Sequence, residues 1–262
     1  MVTQWPYPHM TDLLPLIDTT RWHWDVFRSS ASHEFWCGMA PDGSKWIVKM
    51  RGSFYAYRER VFGGLAHLLG ISCQPSALCI LPPDCPPMRA TPNCEPYQGA
   101  NWFLNEHPPE ACSPVCPRKE LEAQLNNPGA DPVSVLRHSK VAFALDLARG
   151  DMMACLCGAN EPSDSLLTCN HEFVMVDNEQ MFSGDPSSPI KCRWIERPFG
   201  QVSEYGLTLA MELCSAFAGV SDSEISKLCC IPSDYQVKEL WSVSAKLRCA
   251  RDEARRFLDE RE

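Results

Sequence analysis

The sequence predicts an α+β protein with two lobes, a small antiparallel-sheet lobe that contains one helix and a larger, mostly helical lobe. Three observations predict this architecture. Short apolar stretches flank an Asp-Gly turn in the first part, prolines and cysteines crowd the chain after residue 82, and helical spacing of apolar residues returns near residue 131. We therefore expect a β-rich lobe at 1–82, a connection at 83–130 and a helical lobe at 131–262, with a cleft between the lobes.

The composition excludes several classes of protein. The 262 residues are 45% hydrophobic, enough for a sizeable core, and the net charge of −9 leaves no broad basic surface, so no nucleic-acid partner is expected. No run of about 18 apolar residues exists, so we expect no transmembrane segment. The stretch 1–6 lacks the pattern of a secretory signal. The 15 cysteines, an odd number, then favour a reduced cytoplasmic protein with buried thiols over a disulfide framework.

The first lobe is predicted element by element. Residues 1–28 are rich in aromatic side chains and are interpreted as an apolar strap across the lobe. Strands are predicted at Phe35–Met39 and Lys45–Met50, because an Asp-Gly turn joins them. Phe54–Leu69 carries apolar residues on one face at helical spacing, and Gly70 ends that helix.

A short apolar strand, Cys79–Leu81, follows and is ended by two prolines. Residues 82–117 predict a long irregular connection, because proline and cysteine are frequent and periodicity is lost. One short element is predicted inside the connection, at Asn101–Leu104.

The second lobe is predicted to be helical around one hairpin. A helix is expected at Asp131–Met153, and Glu172–Val176 is expected to be a strand that delivers Asp177 at its end. The chain from Tyr205 onward is predicted to be mostly helical, and Val237–Arg261 has the pattern of a charged amphipathic helix with a solvated face.

Lys49 and Glu59 form the first candidate pair. Phosphoryl transfer needs a cation on the nucleotide phosphates, an acidic residue that holds this cation, and oxygen ligands for magnesium. Lys49 lies near the end of the second hairpin strand, and Glu59 lies in the following helix, from where it can reach back. Each residue alone is more commonly a solvated surface residue, so the pairing depends on its surroundings.

The surroundings resemble the first lobe of HipA-like kinases, a family related to the phosphatidylinositol kinases. The hairpin with its strand lysine is followed by a helix whose glutamate lies six residues before Leu65-Ala66-His67-Leu68-Leu69-Gly70, as in the Leu-Ala-x-x-Leu-Gly segment of that family. The resemblance covers about residues 29–82. It implies a two-lobed protein-kinase-like fold that binds ATP, with Lys49 on the phosphates and Glu59 positioning Lys49.

A second patch resembles the catalytic loop and metal site of the same superfamily. A predicted helix ends near Gly150-Asp151, and the strand before Asp177 is followed by Phe182, as in the Ile-Asp-x-x-x-x-Phe pattern of the family. The resemblance implies that Asp177 holds Mg²⁺, that Asn160 is the second metal ligand and that Asp151 orients the acceptor hydroxyl.

The spacing in this patch departs from the family and leaves alternatives open. The family places asparagine five residues after its catalytic aspartate, but Leu156 stands there and Asn160 comes later. Asp146 could instead be catalytic, with Asp151 in place of the asparagine. We favour Asp151, because Gly150 is expected to free the backbone from the helix. A degenerate loop in an inactive pseudokinase is a third possibility.

Two further contacts with ATP follow from the resemblance. Ser29, Ser30 and Ser32 stand where the superfamily places a short loop over the phosphates, although an ordinary serine-rich turn explains them equally well. Ile80 and Leu81, just before the chain leaves the first lobe, would offer backbone groups to adenine.

The sequence therefore predicts an ATP- and Mg²⁺-dependent kinase of HipA-like type, acting on serine or threonine of an unidentified protein. The alternative is a catalytically inactive kinase-like interaction module, stabilised by zinc. A zinc site is the strongest competing chemistry, because five potential ligands lie in or beside the connection: Cys85, Cys94, His107, Cys112 and Cys116.

Overall fold

The computed structural model describes residues 16–28, 34–102, 144–159, 164–167, 173–176, 178–189, 204–237 and 240–261. Its strands are β1 Ile17–Asp18, β2 His23–Arg28, β3 Glu34–Met39, β4 Lys45–Val48, β5 Ser76–Ile80, β6 Tyr97–Trp102, β7 Asp164–Leu167 and β8 Phe173–Val176. Its helices are α1 Ser53–Leu68, α2 Pro86–Ala90, α3 Ala144–Leu156, α4 Glu204–Ala218, α5 Asp222–Leu228 and α6 Leu240–Asp259, and Asn178–Gln180 is a 3₁₀ turn.

The predicted hairpin is confirmed as β3 and β4, which pair antiparallel. Its turn forms because Asp42 Oδ1 accepts a hydrogen bond from Ser44 N at 2.9 Å and Gly43 adopts a φ of +84°, which glycine tolerates without strain. Six described strands form one sheet in the order β1-β5-β6-β4-β3-β2. The helix predicted after the hairpin is confirmed as α1, and it packs on β5 and β6.

The interpretation of residues 1–28 as a strap is wrong for its described part. Residues of that stretch form β1, which pairs parallel with β5, and β2, which pairs with β3 along its whole length. The pairing of β2 with β3 satisfies backbone groups at the outer edge of the hairpin, which would otherwise need another partner. The aromatic residues fill the sheet face opposite α1, where Trp22 stacks on Trp46 at 6.2 Å and Trp102 meets Trp46 edge-on at 5.0 Å.

The described part of the connection, residues 83–102, is more ordered than the sequence predicts. The short element expected at Asn101–Leu104 is part of β6, which starts at Tyr97 and lies between β4 and β5 in the sheet. The sequence did not predict the whole strand, because the prolines and cysteines around it are typical of irregular segments, although none of them lies within β6. The first lobe's sheet therefore extends beyond the boundary that we placed at residue 82.

The described part of the second lobe is helical, as predicted, around the hairpin β7–β8. The charged amphipathic C-terminal helix is confirmed as α6: Arg255 and Arg256 on its charged face are exposed, and its apolar face is buried against α4: Val243, Leu247, Ala250, Ala254 and Phe257. Among the helices of the described ranges, none combines the length and apolar composition that crossing a membrane requires.

Every cysteine in the described ranges is a free thiol, and the thiols differ sharply in exposure. Cys79 and Cys157 are buried, and burial raises the pKa of each thiol, whereas Cys230 and Cys249 are exposed. Because alkylation needs an accessible thiolate, we expect Cys79 and Cys157 to react with iodoacetamide at least about a hundredfold more slowly than the exposed pair in the native protein. Mass spectrometry after timed exposure measures this, and rapid native labelling of Cys79 would contradict the packing of β5.

Candidate functional site

The predicted contact between Lys49 and Glu59 is present in the structure. Lys49 Nζ lies 2.9 Å from Glu59 Oε1, and the two side chains are 13% and 6% exposed. Lys49 directly follows β4, and the chain then turns sharply into α1, with positive φ at Met50 and Gly52. This turn lays α1 across the sheet with Glu59 facing Lys49. Because both side chains are largely buried, water and salt screen this ion pair much less than one on the surface.

The carboxylate of Glu59 is held from three directions. Besides its bond with Lys49, Oε2 accepts a hydrogen bond from Asn101 Nδ2 at 3.0 Å and Oε1 accepts one from Asn178 N at 3.3 Å. Asn101 belongs to β6 and Asn178 begins the 3₁₀ turn after β8. Glu59 therefore connects the sheet, α1 and the segment that follows the second lobe's hairpin. Because its carboxylate is charged, the hydrogen bonds that it accepts are stronger than those to a neutral acceptor.

The strand β8 is fixed to the first lobe by backbone bonds. Gln74 N donates to Met175 O at 2.8 Å, and Met175 N donates to Ser72 O at 3.0 Å. Beside them Asn178 Nδ2 donates to Cys73 Sγ at 3.2 Å, and burial, with the nearby negative charge of Glu59, raises the pKa of this thiol. Cys73 thus stays protonated and serves as a hydrogen-bond partner rather than a nucleophile.

The structure corrects the argument that selected Asp151. The helix α3 does not end at Gly150 but continues to Leu156, and the residue with positive φ is Gly158, at +64°. Gly150 serves a different purpose, because a Cβ there would lie 2.7 Å from Met175 Sδ; glycine allows α3 to approach β8 closely. Asp151 is buried on α3 beside this contact, and the backbone of Asp146 lies in the same helix.

Ile80 and Leu81 lie away from the Lys49–Glu59 pair, at the end of β5 and on the far side of β6 from β4. Ile80 O accepts a hydrogen bond from Thr19 Oγ1 at 2.7 Å, and Leu81 N donates to Pro96 O at 2.9 Å. These contacts engage backbone groups that the sequence analysis offered to adenine, and they argue against that role.

Several predicted residues lie outside the described ranges: Ser29, Ser30, Ser32, Asn160, Asp177, His107, Cys112 and Cys116. Asn178, the neighbour of Asp177, is described and is bonded to Glu59, as given above. Within the described ranges, no group of three or more His, Cys, Asp or Glu side chains is arranged to hold a metal ion.

Three residues of this region were missed by the sequence analysis. Asn101 and Asn178 bind Glu59, and Lys246 of α6 donates to the carbonyls of Phe182, Ser183 and Gly184 at 2.9, 3.3 and 2.9 Å. Lys246 thereby fixes the segment that follows the 3₁₀ turn. A polar residue at Asn101, in an otherwise strand-like stretch, was the one available signal; Lys246 gave none.

Comparison with known proteins was made at the level of sequence and of structure. No protein-family model and no curated protein sequence matches the chain. Among solved structures, the proinflammatory kinase CtkA of Helicobacter pylori is similar over 92% of this chain and 99% of its own length, with 11% identity and a TM-score of 0.57. A Golgi casein kinase solved with Mn and ADP bound is similar over 96% of this chain and 76% of its own, with 10% identity and a TM-score of 0.49.

The fold assignment depends on the first of these similarities. The order of the elements agrees with it: a curled sheet that carries one helix, followed by helices that surround a β-hairpin. The chain has an α+β, two-lobed, protein-kinase-like fold.

Proposed function

We propose that the protein is an ATP- and Mg²⁺-dependent phosphotransferase of HipA-like type that phosphorylates serine or threonine of a protein acceptor. The observation that carries the proposal is the buried carboxylate of Glu59, bonded both to Lys49 and to the backbone N–H of Asn178. Phosphoryl transfer in this fold requires a lysine that is held by a helix glutamate and a metal-binding aspartate nearby. Here Asn178, the residue after Asp177, is bonded to the glutamate of the lysine pair.

Each residue has a defined part in the proposed reaction. Lys49 supplies a positive charge to the nucleotide phosphates. Glu59 keeps the amine of Lys49 directed into the cleft, so the lysine does not have to reorient during the reaction. Asp151 accepts a hydrogen bond from the acceptor hydroxyl and orients it. As the hydroxyl oxygen attacks the terminal phosphorus, its proton passes to this carboxylate, the bond from that phosphorus to the β–γ bridging oxygen breaks, and ADP leaves.

The residues proposed for the metal fit Mg²⁺ by their chemistry. Asp177 offers a carboxylate and Asn160 an amide oxygen, both hard ligands of the kind that Mg²⁺ prefers. The hydrogen bond from Asn178 N to Glu59 ties the residue next to Asp177 to the lysine pair. When bound, Mg²⁺ neutralises charge on the phosphate oxygens, while the protein's own groups position the nucleotide and acceptor.

Calorimetric titration with ATP, with and without Mg²⁺, tests the proposal. We expect Mg²⁺ to tighten ATP binding by the unmodified protein. In Asp177→Asn the factor by which Mg²⁺ tightens ATP binding should fall at least about tenfold, because one anionic ligand is removed. An exposed aspartate outside the site, Asp259→Asn at the end of α6, is the matched control and should retain the full Mg²⁺ dependence. Equal Mg²⁺ dependence in Asp177→Asn and the parent would mean that the metal is held elsewhere.

A second candidate is a kinase-like module that binds a partner without turnover. The observation that favours it is the continuation of α3 through Asp151, which places the proposed catalytic carboxylate within a helix instead of a loop. Retained nucleotide binding without phosphate transfer to any protein of a cell extract would favour this candidate.

A further inference from the structure

Helix α1 is buried on nearly every side, including the side that faces away from the sheet. Two parts of the chain cover that side: the 3₁₀ turn Asn178–Gln180, and residues 228–235, which comprise the last residue of α5 and the segment after it. We call residues 228–235 the cover segment. At Gly64 α1 and the cover segment approach so closely that a Cβ would lie 2.6 Å from Leu228 Cδ2.

Two side chains of α1 bind carbonyls of the cover segment. Tyr57 OH donates to Cys229 O at 3.0 Å, and Arg60 Nη1 donates to Cys230 O at 2.8 Å. Cys229 is the C-cap of α5, where the last carbonyls of a helix lack intrahelical partners and carry partial negative charge, and Cys230 follows it directly. Arg60 is 4% exposed, so this end of α5 offsets the cost of burying its guanidinium.

The helix that directly precedes these carbonyls is itself held in place. Ser221 and Glu224 form a capping box at the N-terminal end of α5, in which Ser221 Oγ accepts from Glu224 N and the Glu224 side chain accepts from Ser221 N. The other end of the cover segment is anchored to the sheet, because Tyr235 OH donates to Gln98 O at 3.0 Å and its ring meets that of Tyr97 edge-on at 5.4 Å.

The cover segment and Lys49 contact different sides of α1. At about 100° per residue, Tyr57, Arg60 and Gly64 fall within about 60° of one another, whereas Glu59 lies at least about 100° away from each of them. The cover touches neither Lys49 nor Glu59, so it can act on their contact only through the position of α1.

We propose that the cover segment is an intramolecular clamp that holds α1 where Glu59 meets Lys49, with Tyr57, Arg60 and Tyr235 as positioning residues. The clamp matters for catalysis only if the proposed function is correct, so that part of the proposal rests on the proposed function. It implies that α1 needs no partner protein and no modification to reach its working position, because the chain supplies the contacts itself.

Acetylation of Lys49, followed by mass spectrometry, measures the ion pair directly, with exposed Lys45 at the start of β4 as the internal standard. Arg60→Ala removes a charge-assisted bond and should raise the rate of Lys49 acetylation about tenfold, and Arg60→Lys should restore part of the protection. Tyr57→Phe, which deletes one hydroxyl and keeps the ring, should give a smaller increase. Glu59→Gln is the positive control.

Phe257→Leu in the core of the second lobe controls for a general loss of stability, since Phe257 is buried on α6 away from the cover segment. Protection of Lys49 should survive this change. Unchanged acetylation in Arg60→Ala and Tyr57→Phe would overturn the clamp, and so would an equal increase in Phe257→Leu. Since acetylation uses no ATP, a protein that shows the expected pattern but binds no nucleotide would refute the proposed function and leave the clamp standing.

Discussion

Lys49→Met is expected to weaken ATP binding at least about tenfold and to remove most phosphoryl transfer, because one charge-assisted contact with the phosphates is worth about 1.5–3 kcal/mol. Methionine keeps the aliphatic part of the side chain, so packing beside α1 is preserved. The free energy of unfolding should fall by about 1–3 kcal/mol, since Glu59 loses its cation but keeps its bonds from Asn101 and Asn178. Calorimetric titration and thermal unfolding measure the two effects separately.

Lys45→Met is the matched control for this change. Lys45 begins β4, the strand that Lys49 directly follows, but is exposed, so its replacement should leave both ATP affinity and stability within experimental error. If Lys49→Met bound ATP as tightly as the parent, the central support for the proposed function would be lost.

Asp151→Asn should reduce phosphoryl transfer by about 10²–10⁴-fold while ATP still binds, because a carboxylate that takes a proton from the acceptor acts in the transition state. Asparagine preserves the shape of the side chain and removes its charge. Transfer of labelled phosphate, including autophosphorylation, measures the first effect, and ATP titration measures the second.

Asp146→Asn, five residues earlier on the same helix, distinguishes the two carboxylates and should retain a measurable fraction of activity. The reversed pattern would make Asp146 the catalytic residue and Asp151 a metal ligand. If the unmodified protein binds ATP but transfers phosphate to nothing, the inactive kinase-like module is the correct interpretation.

The parts of the fold that the sequence predicted correctly are those with local causes. The turn at Asp42-Gly43 and the periodicity of α1 are encoded by neighbouring residues, and the contact of Lys49 with Glu59 spans only ten positions. The strand β6 was recognised only at its end, because the prolines and cysteines around it hid the alternation. Gly150 was misread as the end of a helix, since a glycine that ends a helix and one that permits close packing look alike in sequence.

The connections that complete the site cannot be predicted from such patterns. Asn178 binds Glu59 across 119 positions of the chain, and Lys246 reaches Phe182 across 64. Neither contact leaves a periodicity or a motif, because the first depends on how the two lobes are packed together and the second on how distant elements pack within the second lobe.

The cover over α1 also has a consequence for biosynthesis. The partner of Tyr57 lies 172 positions later in the chain, so at about 5–20 residues per second α1 leaves the ribosome roughly 10–35 seconds before the segment that buries it. During that interval the sheet can pair, but one face of its helix remains exposed to solvent and to other nascent chains. We therefore expect the N-terminal half, released alone, to be recovered in an aggregated or chaperone-bound state, since a segment synthesised late in the chain is needed to finish the first lobe.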